Sequence, residues 1–281
     1  MSLIAIVFAL ILERTRHYRS RWLWQEWSCQ WFGWLPCKGS GSWLLFGVVL
    51  PTLLMAAVQW FIQGWLFGLC SLIVWVSVPL LTLGCPGLQL AFRDYIKSSP
   101  TNPKGACLSF NQRLAYLFPG TASLPLESQE QVGRFMCWLN FRYYFSIVFW
   151  FAIGGPALAL CYGLLRSLQT WAIDHPNAAC SVRLIAQLLH IIDWIPSRLS
   201  ALSYVLCSRS TRGFQIWKQS ITDHRHANAE WLGLIAQSCR GQSGDEMNSN
   251  AMIIHIVQLL KGSLLLSLVI IALLTLYGWL I

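Results

Sequence analysis

Residues 138–168 read WLNFRYYFSIVFWFAIGGPALALCYGLLRSL, with no charged side chain between Arg142 and Arg166. As a helix, that uncharged part rises about 35 Å at 1.5 Å per residue. A hydrocarbon core about 30 Å thick demands that length. Gly154-Gly155-Pro156 interrupts it, and a proline inside a helix removes a donor and kinks the axis. Four other stretches share this apolar character: about Trp43 to Trp60, Ser71 to Phe92, Val182 to Cys207 and Met252 to Ile281. The expectation is an all-α, polytopic helical membrane protein, with residues 1–281 as a single integral membrane domain. Five spans are expected, or four if residues 182–207 do not cross. Composition agrees: of 281 residues 56% are hydrophobic and 11% charged, where a soluble domain carries about 25% charged residues. The mean hydropathy is +0.51.

The charged residues between the spans set the expected sidedness. A net charge of +9 first suggests nucleic acid, but the twenty Lys and Arg are scattered between apolar stretches. No nucleic-acid partner is expected, since such a partner needs one basic face. Basic loops face the cytoplasm in membrane proteins. Segments 13–42, 93–134 and 208–250 are therefore expected in the cytoplasm, with 61–70 and 167–181 on the outer face. Residues Met1 to Leu12 rise only about 18 Å, so they form a short half-helix rather than a span. Trp22, Trp24, Trp27, Trp31 and Trp34 suit an interfacial helix with its aromatics in the headgroup layer. A helix should begin near Pro125, with Glu127 and Glu130 on the favourable end of its dipole. Phe214, Trp217, Ile221, Leu234 and Ile235 give segment 208–250 amphipathic helices that fold onto the membrane surface. Gly241 to Gly244 reads as a linker, and Lys261 can snorkel from the last span.

Residues 182–207 are the most informative. Arg183, Gln187, His190, Asp193, Ser197, Ser200 and Tyr204 recur at steps of three and four and fall within an arc of about 140° on a helix. Asp193 sits at apolar depth, where an ionised carboxylate costs about 2.5 to 3.5 kcal/mol. A cation, a water-filled cavity or protonation must offset that cost; among cations Arg198 is the first candidate, and Arg142 and Arg166 are the others. The stripe is either a clamp between spans or a ligand pocket. The candidate ligand-binding residues are Arg142, Arg166, His190, Asp193, Ser197, Arg198, Ser200 and Tyr204.

Signals for enzyme chemistry are sparse. There is no P-loop, no Gly-x-Ser-x-Gly elbow and no His-Glu-x-x-His. The ten cysteines include no Cys-x-x-Cys pair, and those in apolar segments act as small hydrophobes. His224 and His226 stand two apart and do not share a helix face. No catalytic residue, metal or cofactor is expected.

One resemblance goes further. Asn140-Phe141-Arg142-Tyr143-Tyr144, then Phe149-Trp150 and Gly154-Gly155, then His190, Asp193, Trp194, Pro196, Arg198 and Leu199 are similar to the motifs of the AmpE family. The N-terminal apolar run ending in Glu13-Arg14 and the C-terminal ALLTLYGWLI also fit. The resemblance implies a multi-pass protein of the bacterial inner membrane that modulates β-lactamase induction and associates with the amidase of cell-wall recycling. It suggests a regulatory protein that binds a cell-wall-derived, membrane-associated or anionic ligand, a protein partner or a second copy of itself. The chain also resembles, more distantly, the membrane synthase of the cobalamin pathway. That family's acids are replaced here by Trp138, Arg142 and Gln169, which implies altered or lost chemistry. A synthase of that kind is the alternative function.

Overall fold

The computed structural model describes residues 2–15, 24–35, 39–62, 69–83, 86–99, 101–117, 126, 128–176, 180–223, 226–239 and 249–277. Among these residues there is no strand, so the all-α expectation holds. Among the described residues three helices are long and apolar enough to cross a membrane: Gly41–Ile62, Gln129–Asp174 and Ile254–Leu276. Two shorter apolar helices, Cys70–Thr82 and Val182–Ile192, lie where the other two spans were expected. The chain forms two compact units, one of residues 1–86, 147–189 and 270–281, the other of residues 87–146 and 190–269.

The first unit contains α1 (Ser2–Thr15), α2 (Trp24–Trp34), α3 (Ser40–Leu44), α4 (Leu50–Ile62) and α5 (Leu69–Thr82). It also holds most of α9 (Ser146–Asp174). α1 packs along α5. Aromatic rings fasten α2 and α3 to α9. Trp24 donates its indole N–H to Ser167 Oγ at 2.9 Å. Trp43 lies 4.5 Å from the Trp171 ring, and Phe32 lies 6.0 Å from it. At the other end of α4, Gln59 approaches Gly155, so the α3–α4 run lies antiparallel to α9. Residues 24–43 therefore share one end of the unit with residues 163–175. Arg16, Arg19 and Arg21, on which the charge argument rested, lie outside the described residues.

The glycine pair in α9 does break the helix, as its proline led one to expect. Gly154 has φ −135° and Gly155 has φ +64° with ψ −155°. Only glycine occupies that second region without strain.

The second unit contains α6 (Pro86–Ser98), α7 (Pro103–Leu117) and α8 (Gln129–Asn140), then a π-helical turn, Phe141–Phe145. It continues with α11 (Trp194–Ser208), α12 (Thr211–Thr222), α13 (Asn228–Ser238) and most of α14 (Ser249–Leu276). α8 begins at Gln129, not near Pro125, because Ser128 and Gln131 form a reciprocal capping box. Glu130 is in its first turn as expected, whereas Glu127 lies outside the described residues. Arg134 bonds Glu130 and Gln237 at 2.7 Å each, and Gln237 bonds Glu130 at 2.7 Å. α13 thereby lies along α8 and also packs on α11.

The apolar face expected to lie on the membrane is corrected in part. Ile235 is fully buried, and Trp217 donates its indole N–H to the Arg198 carbonyl at 2.9 Å. Phe214 and Leu234 remain exposed. α13 finds a better apolar partner in α8 and α11 than a bilayer surface offers. The Gly241 to Gly244 linker lies outside the described residues.

The expected crossing of residues 182–208 can be tested by labelling. Cys180 and Cys239 are both buried and make poor reporters of this. Exposed Ser181 and Gln219 are better placed. In intact cells, an impermeant maleimide is expected to label only one of Ser181→Cys and Gln219→Cys. Equal labelling of both would remove that crossing.

Candidate functional site

Val182–Cys207 is not one helix. α10 (Val182–Ile192) ends at Asp193 and α11 starts at Trp194. Pro196 explains the break: it has no N–H for the Ile192 carbonyl and its ring crowds that carbonyl. In the first turn of α11 the same proline costs nothing, and Ser197 N–H donates to the Asp193 carbonyl at 2.9 Å.

The break divides the polar stripe. Arg183 and Gln187 on α10 are exposed and His190 is half-buried, while Ile185 and Leu189 are buried. Past the break, Asp193, Ser197, Arg198, Ser200 and Tyr204 are all buried.

Arg198 is the hub of this region. Its Nε donates to the Ser220 carbonyl at 3.1 Å. Its Nη1 donates to Ser197 Oγ at 3.0 Å and to Asn228 Oδ1 at 2.7 Å, and its Nη2 to the Asp223 carbonyl at 3.4 Å. Asn228 Nδ2 in turn donates to the His190 carbonyl at 3.0 Å. The guanidinium also lies 5.6 Å over the Trp194 ring. One side chain thus ties α11 to the C-terminal end of α12 and the N-terminal end of α13. A cation belongs at a helix C-terminus, where the last carbonyls lack intrahelical donors.

The expected Asp193–Arg198 pair is corrected. Arg198 spends its donors on these four acceptors, and five helical residues separate two side chains by about 140°. The Pro196 break does not bring them round.

The remaining candidates fall into three places. Tyr204 is fully buried beside Ser200 and Asn140. Asn140 closes α8 just before the π-helical turn. Arg142 sits in that turn, half-buried, 5.6 Å over the Trp138 ring. Arg166 belongs to the first unit, where it is buried and donates to the Thr82 carbonyl at the end of α5, 3.3 Å away. Asn228 was missed from sequence, and Asn140 was read as a motif residue but not as a site candidate. An amide beside an apolar run has no helical period to reveal it. Among the described residues no group of three His, Cys, Asp or Glu could hold a metal ion. His226 bonds Asp223 at 2.7 Å, and His224 lies outside the described residues.

The comparisons with known proteins bear on these same motifs. A protein from Shigella flexneri called Protein AmpE is 27% identical over 227 residues, covering 78% of this chain and 79% of its own length. No solved structure matches. The likeness to the cobalamin-pathway synthase is not shown by these matches. The family described as regulatory signalling modulator protein AmpE matches residues 1–281. With its whole length matched, and its Asn140–Tyr144 and His190–Leu199 motifs forming the π-helical turn and the Arg198 hub, the chain belongs to the AmpE family.

Proposed function

We propose that this protein is a non-catalytic regulatory modulator of β-lactamase induction, seated in the bacterial inner membrane, that responds to an anionic ligand or its protein partner. The family match over residues 1–281 carries the regulatory part. The finer part rests on buried polar groups of the second unit. Asn140, Ser200 and Tyr204 form a buried polar cluster, with Ser200 and Asn140 within hydrogen-bonding reach of the Tyr204 hydroxyl. All three can donate, so an acceptor such as a carboxylate or phosphate oxygen, or a water relaying to one, suits them. Arg142 stands in the neighbouring turn, and π-helical turns often occur at functional sites. Arg198 and Ser197 serve the hub instead, which is the clamp reading of the stripe. Buried Asp193 and half-buried His190 bracket the end of α10.

Gene deletion is expected to change induction in a strain carrying an inducible β-lactamase, with the wild-type gene restoring it. Unchanged induction and muropeptide levels would overturn the regulatory reading. Tyr204→Phe tests the ligand reading separately. With an occupant present, the variant loses a hydrogen bond, about 0.5 to 1.5 kcal/mol, and induction shifts. An unchanged induction in a folded variant would mean that the hydroxyl serves only its own cluster, and would sink the occupant.

A further inference from the structure

The outer face of α11 is as apolar as its inner face is polar. Ile195, Leu199 and Leu206 are exposed, Leu206 at 55%. They fall within an arc of about 40°, opposite the buried Ser197, Ser200 and Tyr204. A helix with its polar residues inside and its aliphatic residues outside is stable in hydrocarbon, not in water. From Ile195 to Leu206 this ridge is about 16 Å long.

The ridge ends in a basic corner. Arg209, Arg212 and Lys218 are all exposed, and residues 194–222 contain no Asp or Glu. Phe214 is exposed between them and stacks on Trp217 at 5.5 Å. Arg209 also has φ +52° and ψ +31°, a left-handed conformation. Among the described residues it is the non-glycine with positive φ. Glycine is the cheap residue there, so the backbone bears strain to keep an arginine.

We propose that this corner is a binding site for the phosphate headgroups of anionic phospholipids. Leu199 and Leu206 lie against acyl chains, Phe214 sits at the boundary, and Arg209, Arg212 and Lys218 reach the headgroup phosphates. Arg presents paired donors that match phosphate oxygens. Each basic residue near an anionic surface is worth about a fivefold gain in binding. The proposal rests on residues 182–208 meeting lipid, and the test separates that premise from the site.

The experiment uses the full chain in nanodiscs of phosphatidylcholine alone or with phosphatidylglycerol. Native mass spectrometry reads the retained lipid, and thermal unfolding reads the stabilisation. The wild type is expected to retain phosphatidylglycerol preferentially. The R209Q/R212Q/K218Q variant should lose that preference at least about tenfold, while R93Q/K97Q/K104Q, also in the second unit, should keep it. R209G gives the sharpest result: more stable in detergent, because strain is relieved, yet weaker in its lipid preference. Equal preference in wild type and R209Q/R212Q/K218Q, or equal loss in both triple variants, would overturn the site. If wild type is stabilised by inorganic phosphate as well as by the lipid, the corner is a phosphate site and the lipid assignment is wrong. Leu199→Cys tests the premise alone. Slow reaction with a soluble maleimide in nanodiscs, read by peptide mass spectrometry, supports a lipid-facing ridge, and fast reaction removes it.

Discussion

Arg198→Ala is expected to lower the stability of the second unit by about 3 to 5 kcal/mol, the largest loss from any single change at the hub. The variant strands the Ser220 and Asp223 carbonyls at the end of α12, together with Ser197 Oγ and Asn228 Oδ1. A buried acceptor left without a donor costs about 1 to 3 kcal/mol, and the four share one donor group, so their losses do not simply add. Arg198→Lys should recover little, since an ammonium cannot meet acceptors on three helices at once. Asn228→Ala should cost less than Arg198→Ala, because it leaves the arginine its backbone acceptors. In a double-mutant cycle the two changes should couple strongly. Thermal unfolding in detergent and the steady-state level in cells both report the effect. A loss under about 1 kcal/mol for Arg198→Ala would show that α12 and α13 are held by apolar packing alone.

Gly155→Ala should be the most damaging small change in the first unit. Its φ of +64° with ψ −155° lies where a side chain costs about 1 to 3 kcal/mol in backbone strain. A Cβ there would also lie 3.3 Å from the Trp75 ring and 3.4 Å from Gln59. Trimming Gln59 should not restore the variant, because the strain is in the backbone. Gly154→Ala makes the contrast. Its φ of −135° suits any residue, but its Cβ would fall 2.3 Å from Leu158 Cδ1. Adding Leu158→Ala should therefore rescue Gly154→Ala and leave Gly155→Ala unrescued. Thermal unfolding of the four variants decides it, and equal rescue at both positions would refute the assignment of strain to Gly155.

The boundaries of local structure were legible where a single residue type enforces them. Pro156 and the paired glycines marked the break in α9. Pro196 marked a kink, yet its consequence was underestimated: it ends α10 and frees α11 to join another set of helices. The start of α8 was misplaced because a proline signal was preferred to the capping box of Ser128 and Gln131, which lies three residues further on.

The amino-acid sequence by itself determined that this chain is helical and apolar, where its apolar helices lie, and that it carries AmpE-family motifs. Those properties are local, since hydropathy and helical period depend on neighbours within a few turns. The tertiary structure decided the use of each polar residue. Arg198 has no acid within reach along its own helix, and only the fold of residues 190–269 delivers the Ser220 and Asp223 carbonyls and Asn228 to its guanidinium. Tyr204 meets Asn140 only because α11 packs against the π-helical turn. Trp217 and Ile235 turned inward for the same reason: their partners lie far away in sequence, and a helical stripe states which residues share a face but not what covers it.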